Sequence, residues 1–279
     1  MRSGLKPPRI TNTRALSRPV PLMKPLLLLL LACLTLTARA AMPELKPLAA
    51  GGAYANITYQ NVRYGIYRAD PARLTLHWKG TDGKAYAGLG TLRRNLEAAG
   101  KDVAFLTNAG IYSADDTPAG LWIENGQTLV PLNTRNGKGN FHLQPNGVFY
   151  IENGRARIQT TAAYRLGNHR PQWAFQSGPL LILDGQINRR FNKTHSSPHK
   201  RNAVCTTADG GLYFILSENY GFDGEWPSLY RLAAALQHLG CEQALYLDGT
   251  LSTWYIPTIS STFHWTHLVG IIAITTEKP

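Results

Sequence analysis

Residues 121–132 read LWIENGQTLVPL, two short runs of apolar and β-forming residues hinged on Asn125-Gly126. Asn-Gly accepts the positive φ that a two-residue hairpin turn demands, so the stretch reads as a β-hairpin. The device recurs downstream. GVFYIENGRARIQT (147–160) turns at Asn153-Gly154, PLLILDGQIN (179–188) at Asp184-Gly185, and AVCTTADGGLYFIL (203–216) at Asp209-Gly210-Gly211. Upstream, ITYQNVRYGIYRA (57–69) and RLTLHWK (73–79) look like a further strand pair. Only two segments read as helices. Thr91 to Ala99 has Thr91 as candidate N-cap, Leu92 and Leu96 on one face and Gly100 as the stop. Ser228 to Leu239 repeats Leu229, Leu232, Leu236 and Leu239 at three- and four-residue steps, with Ser228 to cap it and Gly240 to end it. Many hairpins and few helices predict an α+β domain, a single one on a large mixed, mostly antiparallel sheet.

The ends of the chain bound that domain. Leu26 to Leu31 is an unbroken leucine run, preceded by Lys24 and followed by the small-x-small site Ala38-Arg39-Ala40. That order is a secretory leader over 1–40, with Met23 a more ordinary start than Met1, and a mature N-terminus near Ala41. An apolar stretch of about eleven residues is too short to span a bilayer, so no membrane span is expected. Leu30-Leu31-Ala32-Cys33 also resembles a lipid-attachment box, but apolar residues continue past Cys33 and the later site is better formed. Residues 41–51 are a short N-terminal segment, and 52–276 form the domain.

Charge narrows the function. Residues 1–40 hold seven of the 29 basic and none of the 17 acidic residues, so the net charge of +12 falls to +5 over the rest. That surplus is scattered, which argues against a nucleic-acid surface. Cys205 and Cys241 remain after export. Two cysteines can pair in an oxidising compartment, but buried free thiols are common, and sequence leaves the choice open with free thiols as the default. No C-x-x-C, H-E-x-x-H or Cys/His cluster is present, so neither a metal nor a cofactor is expected.

Three places hold polar residues where the apolar pattern does not demand them. Thr107-Asn108-Ala109-Gly110 closes the strand VAFL and opens a loop bearing Tyr112, Asp115 and Asp116. Gln176-Ser177-Gly178-Pro179 precedes LLILDG, and downstream the segment NKTHSSPHKRN (192–202) concentrates His195, His199, Lys200 and Arg201. A basic loop of this kind is either solvated or a clamp for phosphate oxygens, because Arg offers a planar fork. Finally, Leu247-Asp248-Gly249-Thr250-Leu251-Ser252 leaves a strand that reads as buried, where a carboxylate is costly unless it has partners or a task.

TNAGIY, P-A-G-L-W-I-E-N-G-Q with P-L-N, N-G-V-F-Y, Q-S-G-P, R-N-A-V and L-Y-L-D-G-T-L-S occur in the order seen in one family. The chain resembles the phosphodiester glycosidases, bacterial exported relatives of the lysosomal enzyme that uncovers mannose 6-phosphate. The resemblance runs from about Tyr54 to Ile274. Much of that family has L-D-G-G-G-S where this chain has Thr250 and Leu251. The resemblance implies hydrolysis of a sugar-1-phosphate diester at the anomeric carbon, giving free sugar and a phosphomonoester. Asp248 is the expected nucleophile or general base and Arg201 the group that compensates phosphate charge, with His195 or Lys200 assisting. Asn108, Gln176, Ser177, Asn202 and Ser252, with Gly110, Gly178 and Gly249, are expected to line the substrate, and Asn108, Gln176, Arg201 and Asp248 to meet in one cleft. The expected partner is a sugar-phosphate or envelope glycan. Two alternatives remain at this level: a non-catalytic glycan-binding module using exposed Trp226, Trp254 and Trp265, or a metal-dependent phosphodiesterase.

Overall fold

The computed structural model describes residues 42–218, 225–261 and 267–277. The expected secretory leader, Cys33 and Trp265 lie outside the described residues. The α+β expectation holds, with strands divided among three sheets, and every pairing between strands is antiparallel among the described residues.

The turns form where the sequence placed them. Asn125, Asn153 and Asp184 adopt φ of 53°, 52° and 50°, each followed by a glycine at positive φ. ITYQNVRYGIYRA is a hairpin in itself, turning at Gln60-Asn61 between Ala53–Tyr59 and Val62–Ala69. The RLTLHWK strand, Leu74–His77, pairs instead with Ile271–Glu277 in another sheet, which corrects the expected pairing. The sheet also begins before residue 52, because Lys46–Pro47 pairs with Ala53 and Tyr54.

The eight-stranded sheet runs in the order Lys46–Pro47, Ala53–Tyr59, Val62–Ala69, Leu212–Glu218, Asn202–Thr207, Cys241–Asp248, Leu180–Leu183, Gln186–Ile187. Its middle strands are apolar on both faces because both faces are covered. Leu212, Phe214 and Leu216 turn to one side, against Phe105, Tyr67 and Trp254, while Tyr213 and Ile215 turn to the other. On that second side sits a helix whose Leu232, Ala233, Ala235 and Leu236 are fully buried. Burying such a Leu stabilises by roughly 1.5–3 kcal/mol.

Three α-helices lie among the described residues: α1 (Leu89–Ala98), α2 (Thr161–Leu166) and α3 (Leu229–His238). α3 begins as expected, its Ser228 side chain accepting from the Arg231 N–H. α1 does not begin at Thr91. Gly88 stands at its N-cap without a side-chain bond, and Thr91 lies inside the helix. Its buried face, Leu89 and Leu92, covers a four-stranded sheet of Trp254–Tyr255, Lys101–Asn108, Ile271–Glu277 and Leu74–His77. A five-stranded sheet holds Gln127–Val130, Trp122–Glu124, Trp173–Ser177, Gly147–Glu152 and Arg155–Thr160.

Cys205 and Cys241 are paired in a disulfide, Cα atoms 5.8 Å apart, on neighbouring strands beneath α3. The default of free thiols is overturned: the strand register brings Cys241 opposite Thr207, within a disulfide's reach of Cys205.

Candidate active site

The sheet ends where three strands meet. Asn202 pairs with Leu216 on one side and with Asp248 on the other, so Glu218, Arg201 and Asp248 come out at the same edge. A register shift between Asn202 and Ala203 re-aims the last residues of the Asp248 strand. Arg201 is locked at the start of its strand: its N–H donates to Ser217 Oγ at 2.8 Å and its carbonyl accepts from the Ser217 N–H at 2.9 Å. Arg201 is 2% exposed. It donates to the Tyr246 hydroxyl (2.7 Å), the Ser197 carbonyl (2.7 Å) and the Pro227 carbonyl (3.3 Å). Burial raises the Asp248 carboxyl above the usual carboxylate range, opposed by the Gly249 N–H, which donates to Oδ1 at 2.6 Å, and by the Arg201 charge. Gly249 has no room for a side chain, since a Cβ there would lie 2.8 Å from the Tyr246 hydroxyl.

On the inter-sheet side, Asn202 Nδ2 donates to Thr107 Oγ1 (2.7 Å) and Asn108 Oδ1 (3.1 Å). Asn108 Oδ1 also accepts from the Thr253 N–H at 3.0 Å. This net ties the Asn108 strand end to the Asp248 loop. Two buried polar atoms here have no partner among the described residues: Asn202 Oδ1 and Ser252 Oγ. Buried polar groups are nearly always paired, so two orphans, one opposite Asp248 in register and one on the loop that follows it, mark places for a ligand's hydroxyls or for water. Tyr112 reaches the same region, its hydroxyl donating to the His267 carbonyl at 2.9 Å and its pKa raised by burial and by the Asp248 charge.

Sequence reasoning missed Glu218. It is 6% exposed, accepts from the Tyr54 hydroxyl at 3.2 Å, lies 3.6 Å from Arg63, and is held above the usual carboxylate range chiefly by burial. Lys200 is close enough for each to act on the other's charge. The available signal was its place: LYFILSE ends an apolar strand on a carboxylate, as LYLD does.

Other expected residues serve the frame. Gln176 uses its whole amide on the protein: Oε1 accepts from the Leu121 and Asn133 N–H groups, and Nε2 donates to the Asn133 carbonyl and Thr161 Oγ1. It buckles the 119–133 hairpin and has nothing left for a substrate, which removes it from the residues expected to line the cleft. Ser177 is fully buried and donates to the Leu247 carbonyl at 3.4 Å, pinning two sheets together. Gly110 and Gly178 permit close packing: a Cβ would lie 2.8 Å from the Gln176 carbonyl and 2.6 Å from the Phe141 carbonyl, respectively. His195 is exposed, at the mouth of a cavity that Arg201 also lines. Trp254 is 3% exposed and packs edge-on against Phe105 and Tyr54, so it is core and offers no sugar platform. Trp226 is half-buried. Among the described residues no group of three His, Cys, Asp or Glu side chains is arranged to hold a metal ion, and no helix is long and apolar enough to cross a membrane.

Comparison with known proteins agrees with this layout. The family model described as NAGPA, phosphodiester glycosidase, matches residues 101–264. The uncharacterized protein YigE of Escherichia coli (strain K12) is 36% identical over 185 residues, 66% of this chain and 70% of that one. The catalytic domain of zebrafish N-acetylglucosamine-1-phosphodiester alpha-N-acetylglucosaminidase, auto-inhibited by its pro-peptide, superposes with a TM-score of 0.57 at 16% identity, covering 85% of this chain and 86% of that one. A hypothetical protein from Synechocystis gives 0.52 at 15% identity, over 84% and 64%. At such identities the two structures speak for the fold.

Proposed function

The chain belongs to the phosphodiester glycosidase family, and we propose that it hydrolyses a sugar-1-phosphate diester at the anomeric carbon. Family membership supports a glycosidase-type hydrolase; the diester and the residue roles are our reading. The observation that carries it is the register of Asn202 with Asp248, which sets a desolvated carboxylate beside a buried guanidinium and two orphaned polar atoms. An oxocarbenium-like transition state needs negative charge near the anomeric carbon, and Asp248 offers it. As that carbon's bond to the phosphate oxygen breaks, the electron pair leaves with the phosphomonoester, whose charge Arg201 compensates. Water supplies the new oxygen, and its proton passes to Asp248 in the base role. In the nucleophile role the carboxylate bonds the sugar first and water then releases it. Asn202 Oδ1 accepts from a sugar hydroxyl and Ser252 Oγ donates to or accepts from another, and Glu218 adds a second carboxylate at the same sheet edge.

We also propose that the mature protein acts outside the cytoplasm, in the periplasm or secreted. The leader-like first forty residues and the disulfide both favour it, because such bonds persist in oxidising compartments. N-terminal sequencing from the native host should begin near Ala41; a lipid-modified Cys33 would refute that cleavage site.

The deciding measurement is turnover of sugar-1-phosphate diesters by Asp248→Asn. The amide keeps the volume but carries no charge, so kcat should fall by on the order of 10²- to 10⁴-fold with the melting curve preserved. Arg201→Lys replaces a fork with a point charge and should affect kcat and KM together. Wild-type turnover in a folded Asp248→Asn would reduce that aspartate to a turn residue.

A further inference from the structure

A cavity of about 320 Å³ opens between the 190–199 loop and the start of α3. Its lining includes Arg190, Asn192, His195, His199, Arg201 and Tyr230, and none of the described residues that line it is acidic. Arg201 forms its buried wall and has no carboxylate within salt-bridge distance among the described residues. Arg190 is exposed and likewise without an ion-pair partner there. The cavity adjoins the proposed catalytic loop, because His199 Nδ1 lies 3.4 Å from Thr250 Oγ1, two residues beyond Asp248.

Size and charge both exceed what one phosphoryl group requires. At ~30 Å³ per water the space is worth about ten waters, ample for a phosphate and a short alcohol attached to it. One diester phosphate carries a single negative charge, which Arg201 compensates. Arg190 is a second permanent cation on the same cavity, and two imidazoles flank it. Asp248 acts on Arg201, but no acid among the described residues lines the cavity to offset Arg190, an arrangement that a second anion relieves.

We infer that this cavity holds the alcohol side of the diester and that this alcohol carries a further anionic group, with Arg190 as its principal contact. The substrate class is then a sugar-1-phosphate ester of a phosphorylated alcohol, as in a chain of repeating phosphodiesters. The inference rests on the hydrolase reading for the word substrate, while the cavity's preference for a double anion can be measured without turnover.

The test is calorimetric binding of glycerol 1,3-bisphosphate and glycerol 1-phosphate to the intact protein at about 0.15 M salt, where exposed charges are screened beyond ~8 Å. The bisphosphate should bind at least tenfold more tightly. Arg190→Gln should abolish most of that ratio, while Arg155→Gln, an exposed basic residue on another sheet, should leave it unchanged. Equal binding of the two ligands, or equal loss of the ratio in both variants, would overturn the inference whatever the enzyme turns over. Discriminating binding that depends on Arg190, in a protein that hydrolyses no sugar-1-phosphate diester, would uphold the double-anion cavity and sink the hydrolase reading.

Discussion

Ser252 and Asn202 separate function from stability at the level of single atoms. A buried hydroxyl without a partner contributes no hydrogen bond to folding, so Ser252→Ala should change stability by less than about 0.5 kcal/mol. If the hydroxyl meets substrate, the same change should raise KM, by up to roughly tenfold for one neutral bond. Melting curves and steady-state kinetics on one preparation check both halves. Asp248 and Glu218 make a different prediction. Burial raises both carboxyls above their unfolded values, so their ionisation is harder in the folded state. Their contribution to stability is therefore complete below the ordinary carboxylate range and is lost as pH rises through the raised values. Glu218→Gln should remove part of that decline, seen as a melting temperature that falls less than in the wild type as pH rises above the ordinary carboxylate range. A parallel pair of curves would mean that Arg63 and Lys200 already cancel the cost of burial.

Elements deliver these side chains through close approaches that only particular backbones permit. Gly110 begins the loop after the Asn108 strand and packs on the Trp173–Ser177 strand, where an added Cβ would meet the Gln176 carbonyl at 2.8 Å and Ser177 Cβ at 2.9 Å. Both contacts belong to residues that hold sheets together, so neither yields easily. Gly110→Ala should cost about 1–3 kcal/mol, which for a domain of this size is on the order of 2–4 °C per kcal/mol. Gly88→Ala is the matched control. Its φ is 179°, an extended value open to any residue, and a Cβ there meets nothing. Thermal melts of the two variants should therefore diverge, and equal melting temperatures would show that the Gly110 contact relaxes freely.

Across the molecule, the disulfide links the strand that begins at Asn202 to the strand that ends at Asp248. Its cysteines are 36 residues apart in sequence, and closing a loop of that length stabilises by roughly 3–4 kcal/mol on the chain-entropy estimate. Reduction, or Cys205→Ala with Cys241→Ala, should lower the melting temperature by about 10 °C. The bond joins strands already paired and lies under α3, at the far end of both from Asp248, so kcat of the folded variant should change little. A large loss of kcat in a variant that still melts cooperatively would mean the bond holds the site's register.

The sequence by itself determined the hairpins, the α+β class, the capped helix α3 and the order of motifs that identifies the family, because each is local. A positive φ at Asn125-Gly126 or a leucine stripe after Ser228 needs no knowledge of distant residues. Only the tertiary structure decided which polar groups remain free for a substrate. Gln176 and Asn202 look alike in sequence, yet the 119–133 hairpin and Thr161 consume every bond of the first, while Thr107 and Asn108, about 95 residues away, leave the second with an orphaned oxygen. Glu218 at the site's edge, Trp254 in the core and the pairing of Cys205 with Cys241 were hidden for the same reason. Burial and hydrogen-bond capacity are set by whatever the fold brings alongside, and in an antiparallel sheet those neighbours come from far along the chain.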